Sequence, residues 1–330
     1  MLWWPGKKRE MELLDTFGRA HTYLRISITD ACNFRCTYCT SGKTFPVTPR
    51  SQWMLPHEIQ EIAETFISLG VKKIRITGGE PLVRKDAAEI FERLATLPVE
   101  LAITTNGVFL PKFLPQFEQI GLKKINVSLD SLDPLEFYRI VGVDDFQKVK
   151  NGIQEAVEKD FEVKINSVPT QATSKKEIID FISLTKKQKV EVRLIEMMPF
   201  AGNDWDRNQV LTKSEILEMI GTECSFSEIP KHPEETSQRY QIDGFEGYFG
   251  IISTVSDPFC SGCNRLRITA DGKMKNCLFG TREDDLLLAL RAGENLKPII
   301  QANVLAKYQQ TGGQKLSSNM ENRSMIAIGG

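Results

Sequence analysis

The chain has 330 residues, 41% hydrophobic and 26% charged, with 42 Lys and Arg against 43 Asp and Glu for a net charge of −1. This length accommodates one large domain or a domain with a sizeable extension, and the composition is that of an ordinary soluble globular protein. Balanced charge excludes a general nucleic-acid or membrane-surface binder, which would show a basic excess, so an anionic ligand must be met by locally placed Arg and Lys.

The N-terminus, Met1 to Trp4, is apolar but too short for a signal sequence, and the basic cluster Lys7 to Arg9 follows it rather than precedes it. Residues 1–20 read as an extension of unknown role. From there short β-branched runs alternate with longer amphipathic ones. Strands are predicted at Tyr23–Ile28, Lys73–Thr77, Glu100–Thr104, Lys124–Leu129, Glu162–Ser167 and Glu191–Ile195. Helices are predicted at Pro56–Leu69, Asp86–Leu97, Leu114–Ile120, Phe146–Lys159 and Lys175–Lys187. Such β–α succession implies parallel strands joined by right-handed crossovers. Six strands are too few to close an eight-stranded barrel, so residues 21–200 are predicted to form a partial, laterally open (β/α)6 barrel with ligand residues on the loops that leave the strand C-termini. Those loops carry the unusual residues: the cysteine run, Gly78-Gly79-Glu80-Pro81, Thr104-Thr105-Asn106-Gly107, Ser128-Leu129-Asp130-Ser131 and Glu196-Met197-Met198-Pro199. The paired glycines allow close approach and positive φ.

Beyond Phe200 the pattern changes, and residues 201–330 read as a C-terminal extension. A helix over Thr212–Ile220 capped by Thr212 and Glu215 is followed by short strands at Ser237–Ile242, Tyr248–Ser253, Leu266–Thr269 and Met274–Leu278. Two helices, Asp284–Arg291 and Leu296–Tyr308, precede a polar stretch, Gln309–Ser324, expected to be mobile. No run approaches membrane-spanning length.

Seven cysteines grouped three, one and three do not suit a disulfide framework and suggest a reducing, cytoplasmic setting. Cys32, Cys36 and Cys39 form a C-x3-C-x2-C run. Thiolates suit zinc, cuprous ions and iron–sulfur clusters. A structural zinc would need a fourth ligand, and none of the three histidines follows at finger spacing. A [4Fe-4S] cluster is usually held by four cysteines, so three leave one iron open to an exchangeable ligand. Cys260, Cys263 and Cys277 repeat the threefold supply, with Arg265 and Arg267 on one face of the intervening strand. Zinc held by these three with His232 is the alternative there, and for the arginines a solvated surface pair. Cys224 has no metal-spaced partner.

The first cysteine run is similar to the signature of radical S-adenosylmethionine (SAM) enzymes. From about Leu24 through Gly330 the chain resembles one family within that superfamily, the GTP 3′,8-cyclases of molybdenum cofactor biosynthesis. The specific pieces are Leu24-Arg25-Ile26-Ser27, Ile74-Arg75-Ile76-Thr77-Gly78-Gly79-Glu80-Pro81, Asn126-Val127-Ser128-Leu129-Asp130, Phe259-Cys260-x2-Cys263-x-Arg265-Leu266-Arg267, Asp271-Gly272-x4-Cys277-Leu278 and the terminal Gly-Gly.

The resemblance implies two [4Fe-4S] clusters, on Cys32, Cys36 and Cys39 and on Cys260, Cys263 and Cys277. It implies SAM contacts at Tyr38, Gly79, Ser128 and Met198. GTP contacts follow at Arg25, Arg75, Thr104, Lys164, Arg265, the Leu266 backbone and Arg267. Arg265, Arg267 and a tail ending Gly329-Gly330 that enters the cavity would serve catalysis. The implied reaction is abstraction of the C3′ hydrogen of GTP by a 5′-deoxyadenosyl radical and closure onto C8, giving 3′,8-cyclo-7,8-dihydro-GTP. The implied partners are an electron-donor protein and a downstream cyclic pyranopterin monophosphate synthase, around a monomer or homodimer. Two features depart from the family: Thr40-Ser41 stands where Met-Pro is usual, and Met1 to Arg19 exceeds the match. The competing readings are a radical SAM peptide-modifying enzyme with an auxiliary cluster and a zinc-bearing binding module.

Overall fold

The computed structural model describes residues 12–40 and 47–329. Its N-terminal two-thirds run β1 (Tyr23–Ser27), α1 (Thr37–Thr40), α2 (Pro56–Ser68), β2 (Lys73–Thr77), α3 (Ala87–Ala95), β3 (Glu100–Thr105), α4 (Leu110–Gln119), β4 (Lys124–Ser128), α5 (Pro134–Val141), α6 (Phe146–Glu158), β5 (Glu162–Ser167), α7 (Lys175–Ser183) and β6 (Glu191–Ile195). The remainder adds α8 (Lys213–Gly221), β7 (Phe226–Ile229), β8 (Gln238–Ile242), β9 (Tyr248–Ile252), β10 (Arg265–Ile268), β11 (Lys273–Lys275), β12 (Asp284–Asp285), α9 (Leu286–Arg291), α10 (Leu296–Leu305) and α11 (Met325–Ile328). Among the described residues the twelve strands join one sheet in the order β12-β11-β10-β1-β2-β3-β4-β5-β6-β9-β8-β7. Strands β1 to β6 pair parallel and in sequence, as a partial barrel requires. Strands of the extension complete both flanks, with β10 parallel to β1 and β9 parallel to β6.

Parallel strands covered on both faces usually read as continuous apolar runs. Here they alternate. Leu24, Ile26, Ile74, Ile76, Ile103, Ile125, Val127, Ile165 and Leu194 are buried on the face that meets the helices. Arg25, Arg75, Thr104, Asn126, Lys164 and Arg193, on the intervening positions, line a chamber. Each fully buried aliphatic contributes roughly 1.5–3 kcal/mol, which anchors the strands while the other face stays polar.

The helices start where sequence chemistry places them. Pro56 occupies the first turn of α2, Glu58 reaches back to the Leu55 amide at 2.6 Å, and Ile59, Ile62, Ala63 and Phe66 form the buried stripe. Thr212 and Glu215 cap α8 reciprocally. Helix α4 begins four residues before its predicted start because Pro111 fits a first turn. Helix α5 was not anticipated, although Asp133 accepts from the Leu135 and Glu136 amides at 2.9 Å and Pro134 follows it. Strand β7 was likewise not anticipated.

The polar stretch expected to be mobile is tied down. Asn322 donates to the Leu278 carbonyl at 2.8 Å, Gln314 donates to that of Phe279, and Arg323 pairs with both Asp271 and Glu283. This strap delivers α11, whose Ile328 packs with Phe200, Phe279 and Met320. Among the described residues no helix is long and apolar enough to cross a membrane.

Candidate functional site

The loop after β1 is stapled to four neighbouring strand ends. Gly79 donates its amide to the Thr29 carbonyl at 2.7 Å, and Glu80 donates to Ala31 at 2.9 Å. An added Cβ on Gly79 would lie 2.6 Å from the Ala31 oxygen, so this glycine serves close approach. The expected positive φ is not adopted at Gly78 or Gly79. Asn106 Nδ2 donates to Asn33 at 2.7 Å, the Tyr38 hydroxyl donates to Asp130 at 2.8 Å, and Asn203 Nδ2 bridges the carbonyls of Tyr38 and Met198 at 3.1 and 2.8 Å. Cys32, Cys36 and Cys39, all partly buried and none in a disulfide, are thereby presented to the chamber.

Two carboxylates, Glu80 buried and Asp130 half-buried, support this loop. Glu80 accepts from the amides of Leu82 and Asn106 and from the Thr105 hydroxyl, and burial nevertheless pushes it up to about 7. Asp130, accepting from Tyr38 and the Val168 amide, is pushed up by burial to about 6. Glu196, in the loop after β6, is occupied structurally: it accepts from the amides of Lys213, Val255 and Ser256.

The chamber encloses about 660 Å³. Its floor is set by register. Arg267, Arg25 and Arg75 stand side by side across β10, β1 and β2. Thr104, Asn126, Lys164 and Glu191 form a second row across β3 to β6. Arg75 donates to the Tyr23 hydroxyl at 2.5 Å and to the Ile103 carbonyl at 2.6 Å, and Arg267 donates to the Gly329 carbonyl at 2.7 Å. Glu191 takes both Lys164 and Arg193 at 2.6 Å. Burial first, then the charges of Arg25 and Arg265, hold Arg267 well below the usual guanidinium range. Burial pushes the Tyr23 phenol up, but Arg75, Arg25 and Lys73 outweigh it and bring it down to about 7. Clustering these cations is costly unless an anion arrives to share them. Among the described residues Thr104 Oγ1, Asn126 Oδ1 and Asn166 Oδ1 are buried in this region without a hydrogen-bond partner, which marks the wall as built for a polar ligand.

Cys260, Cys263 and Cys277 line the same chamber. Burial pushes Cys263 up, but Arg265 and Lys307 outweigh it and bring the thiol down to about 6. Among the described residues no three His, Cys, Asp or Glu side chains converge tightly enough to hold one metal ion. Each set supplies three thiols, the donor type an iron–sulfur cluster takes, so both sets fit clusters in kind and number. His232 also reaches the chamber but is exposed, its Nδ1 accepting from the Glu234 amide at 3.4 Å.

The expected site residues Arg25, Arg75, Thr104, Lys164, Arg265 and Arg267 all line this chamber, as do Tyr38, Gly79, Ser128 and Met198. The Leu266 side chain instead points into the core, leaving its backbone between the arginines. Gly329 is seated on Arg267, and Gly330 and Ser41 lie outside the described residues. Tyr23, Lys73, Asn126, Asn166 and Arg193 also line the chamber and were missed. The alternation rule applied to Arg265 and Arg267 would have found Lys73 beside Arg75, and Asn166 beside Lys164.

A partial parallel barrel with three cysteines on the loop after its first strand defines the radical SAM class. Residues 26–185 match the Radical SAM superfamily, and residues 190–312 match the family described as Molybdenum Cofactor Synthesis C. The chain is 42% identical to the mitochondrial GTP 3′,8-cyclase of Arabidopsis thaliana over 96% of its length and 83% of the relative's. It is 41% identical to GTP 3′,8-cyclase of Aquifex aeolicus over 87% and 91% of the two chains. With Molybdenum cofactor biosynthesis protein 1 of Homo sapiens it shares 42% identity over 96% of this chain, and it spans about half, 51%, of that relative. Streptococcus suis SuiB bound to S-adenosylmethionine is similar in fold alone, with a TM-score of 0.58 at 16% identity over 94% of this chain and 78% of that one. The chain belongs to the GTP 3′,8-cyclase family. Membership in the radical SAM superfamily implies SAM and one [4Fe-4S] cluster.

Proposed function

We propose that the protein cyclises GTP to 3′,8-cyclo-7,8-dihydro-GTP, the entry reaction of molybdenum cofactor biosynthesis. The observation that carries this reading is the shared chamber: two three-cysteine sets on its walls and an in-register row of three arginines on its floor. Cys32, Cys36 and Cys39 would hold the SAM-binding cluster, and Cys260, Cys263 and Cys277 a second one. When bound, the first cluster with SAM would supply a 5′-deoxyadenosyl radical able to take the C3′ hydrogen of GTP; closure of C3′ onto C8 would then take up one electron, from the donor protein or a second cluster, and one proton to give the 7,8-dihydro product.

The chain's own residues bind and orient. Arg25, Arg75 and Arg267 offer an anionic polyphosphate positive charge; on Arg75 the Tyr23 hydroxyl and the Ile103 carbonyl, and on Arg267 the Gly329 carbonyl, satisfy it only in part. Lys164 and Arg193 share Glu191, leaving each able to turn toward a second anion. Asn126, Asn166 and Thr104 present buried polar atoms for sugar or base. Tyr38, Gly79, Ser128 and Met198 would frame SAM, and Gly329, with Gly330 beyond it, brings the tail against the arginine row. Enclosure keeps solvent from a radical and holds C3′ near its partner. An electron-donor protein and a downstream cyclic pyranopterin monophosphate synthase are the partners this activity requires.

Anaerobic incubation with SAM, reductant and GTP deuterated at C3′ tests the reading. Deuterium should appear in 5′-deoxyadenosine. Label transfer from a peptide substrate, with none from GTP, would establish the peptide-modifying alternative instead.

A further inference from the structure

Beyond the chamber, two cations grip the second cysteine set from behind. Lys307, just past the end of α10, is 4% exposed. Its ammonium donates to the Asn276 carbonyl at 2.5 Å and the Arg265 carbonyl at 3.1 Å, and it stands 3.6 Å from Cys263 Sγ. Arg19, from the segment before β1, donates to the Cys260 carbonyl at 2.8 Å and to the carbonyls of Gln309 and Tyr308 at 2.9 Å each. Between them the two side chains fasten every cysteine of the set: Cys260 through its own carbonyl, Cys263 through its sulfur, and Cys277 through the carbonyl preceding it.

The charge around this grip does not balance. The carboxylate at hand, Asp15, accepts from Arg19 Nε at 2.6 Å and lies 3.1 Å from His21 Nε2. Burial first, then Lys307, bring the His21 imidazole down to about 4, so it adds no charge near neutrality. Among the described residues no carboxylate pairs with Lys307, whose hydrogen-bond partners are two carbonyls and one thiol. A buried ammonium so placed calls for an anion. A [4Fe-4S] core of about +2 ligated by three thiolates carries about −1, the sign such an ammonium calls for.

Resting on the reading of this set as a cluster site, we propose that Lys307, braced by Arg19, is a positioning and tuning residue for the second cluster. Its N–H donates to the Cys263 sulfur, and its charge offsets that of the thiolate-ligated core. Hydrogen bonds and positive charge at a ligand sulfur stabilise the reduced form and raise the reduction potential. At the first set the charges felt by Cys32 and Cys36 are instead those of the Glu80 and Asp130 carboxylates.

The test uses reconstituted full-length holoprotein. Iron analysis comes first: about eight iron per chain is expected, whereas about four would overturn the two-cluster reading and the proposal with it. Given two clusters, the proposal stands or falls separately. In protein carrying ¹⁵N-lysine, the paramagnetic reduced second cluster should show ¹⁵N hyperfine coupling, and the Lys307→Met variant should lose it. Redox titration followed by electron paramagnetic resonance should place the second cluster of Lys307→Met at a more negative potential than wild type, with Lys307→Arg restoring most of the difference and the first cluster unmoved. Absence of lysine coupling in the wild-type protein, a measurement that needs no variant to fold, would overturn the assignment. So would equal second-cluster potentials in wild type and Lys307→Met.

Discussion

Cys32 and Cys263 are both ligand-spaced thiols on the wall of one chamber, yet their surroundings have opposite sign. Burial first, then the nearby Glu80 carboxylate, push Cys32 up to about 12. Cys36 is raised by its contact with Cys39, by burial and by Asp130. Cys263, which burial also pushes up, is nevertheless brought down to about 6 by Arg265 and Lys307. Metal-site potentials respond to net charge and to hydrogen bonds at sulfur. An anionic setting favours a low-potential centre able to reduce SAM, and a cationic setting favours one that holds an anionic substrate. On the proposed reading, cysteine spacing would set the number of ligands and the neighbours would divide the labour.

The largest effect that would break this division comes from removing one thiol on each side. Cys36→Ser should lower reductive SAM cleavage by more than ~100-fold. Cys263→Ser should keep SAM cleavage within about tenfold of wild type while product formation falls by more than ~100-fold. Quantifying 5′-deoxyadenosine and cyclised nucleotide in the same anaerobic reactions checks both; equal loss of cleavage in the two variants would erase the distinction. Next in size is Arg265→Ala combined with Arg267→Ala. Two charge-assisted contacts at ~1.5–3 kcal/mol each predict a GTP requirement raised on the order of 10²–10⁴-fold. Dithionite-driven SAM cleavage should persist.

Much of this organisation was readable in the chain. Strands Lys73–Thr77, Glu162–Ser167 and Glu191–Ile195 occur with the predicted bounds, because β-branched runs between helix start and stop signals leave little choice. The five cations expected to face one cavity do so because strand periodicity fixes their side. Contacts between distant segments were not readable. Nothing local in β10 says that Arg267 will stand beside Arg25, and nothing in Lys307 or Arg19 announces a cysteine loop 44 or 241 residues away. The strap Gln309–Ser324 has the polarity of a mobile loop. What holds it are buried and half-buried partners, Asp271, Glu283 and two carbonyls, supplied by the turns around β11.

A smaller effect sharpens the comparison at the point where the second region reaches the first strand. Gly329 has φ +81°, and an added Cβ would meet Ser27 Cβ and Thr77 Oγ1, each at 2.7 Å. Gly329→Ala therefore adds backbone strain of ~1–2 kcal/mol to a steric clash, and should loosen the tail from Arg267 by about tenfold or more. Hydrogen exchange over Met325–Ile328 would report it. Unchanged protection there would mean the Gly329–Arg267 contact does not hold the tail.

The smallest expected effect concerns the anionic side alone. Burial raises Asp130 from an ordinary 3.8 to about 6, against the help of the Val168 amide and the Tyr38 hydroxyl. Between those values the folded protein binds more protons at this site than the unfolded chain does. Stability contributed here is therefore full below pH 4 and falls as pH rises through 6, by at most ~2–3 kcal/mol. Asp130→Asn removes the titration while its amide can still accept from Val168 and donate to the Tyr38 oxygen. In urea unfolding of the apoprotein under reducing conditions, variant minus wild-type stability should grow more positive from pH 4 to 6 and level off above 7. Glu80, raised to about 7, contributes the same slope to both proteins and cancels in the difference. A difference that shrinks with rising pH would mean Asp130 is stabilised as the anion in the folded state, and that the first cysteine set sits in a field less negative than its two carboxylates indicate.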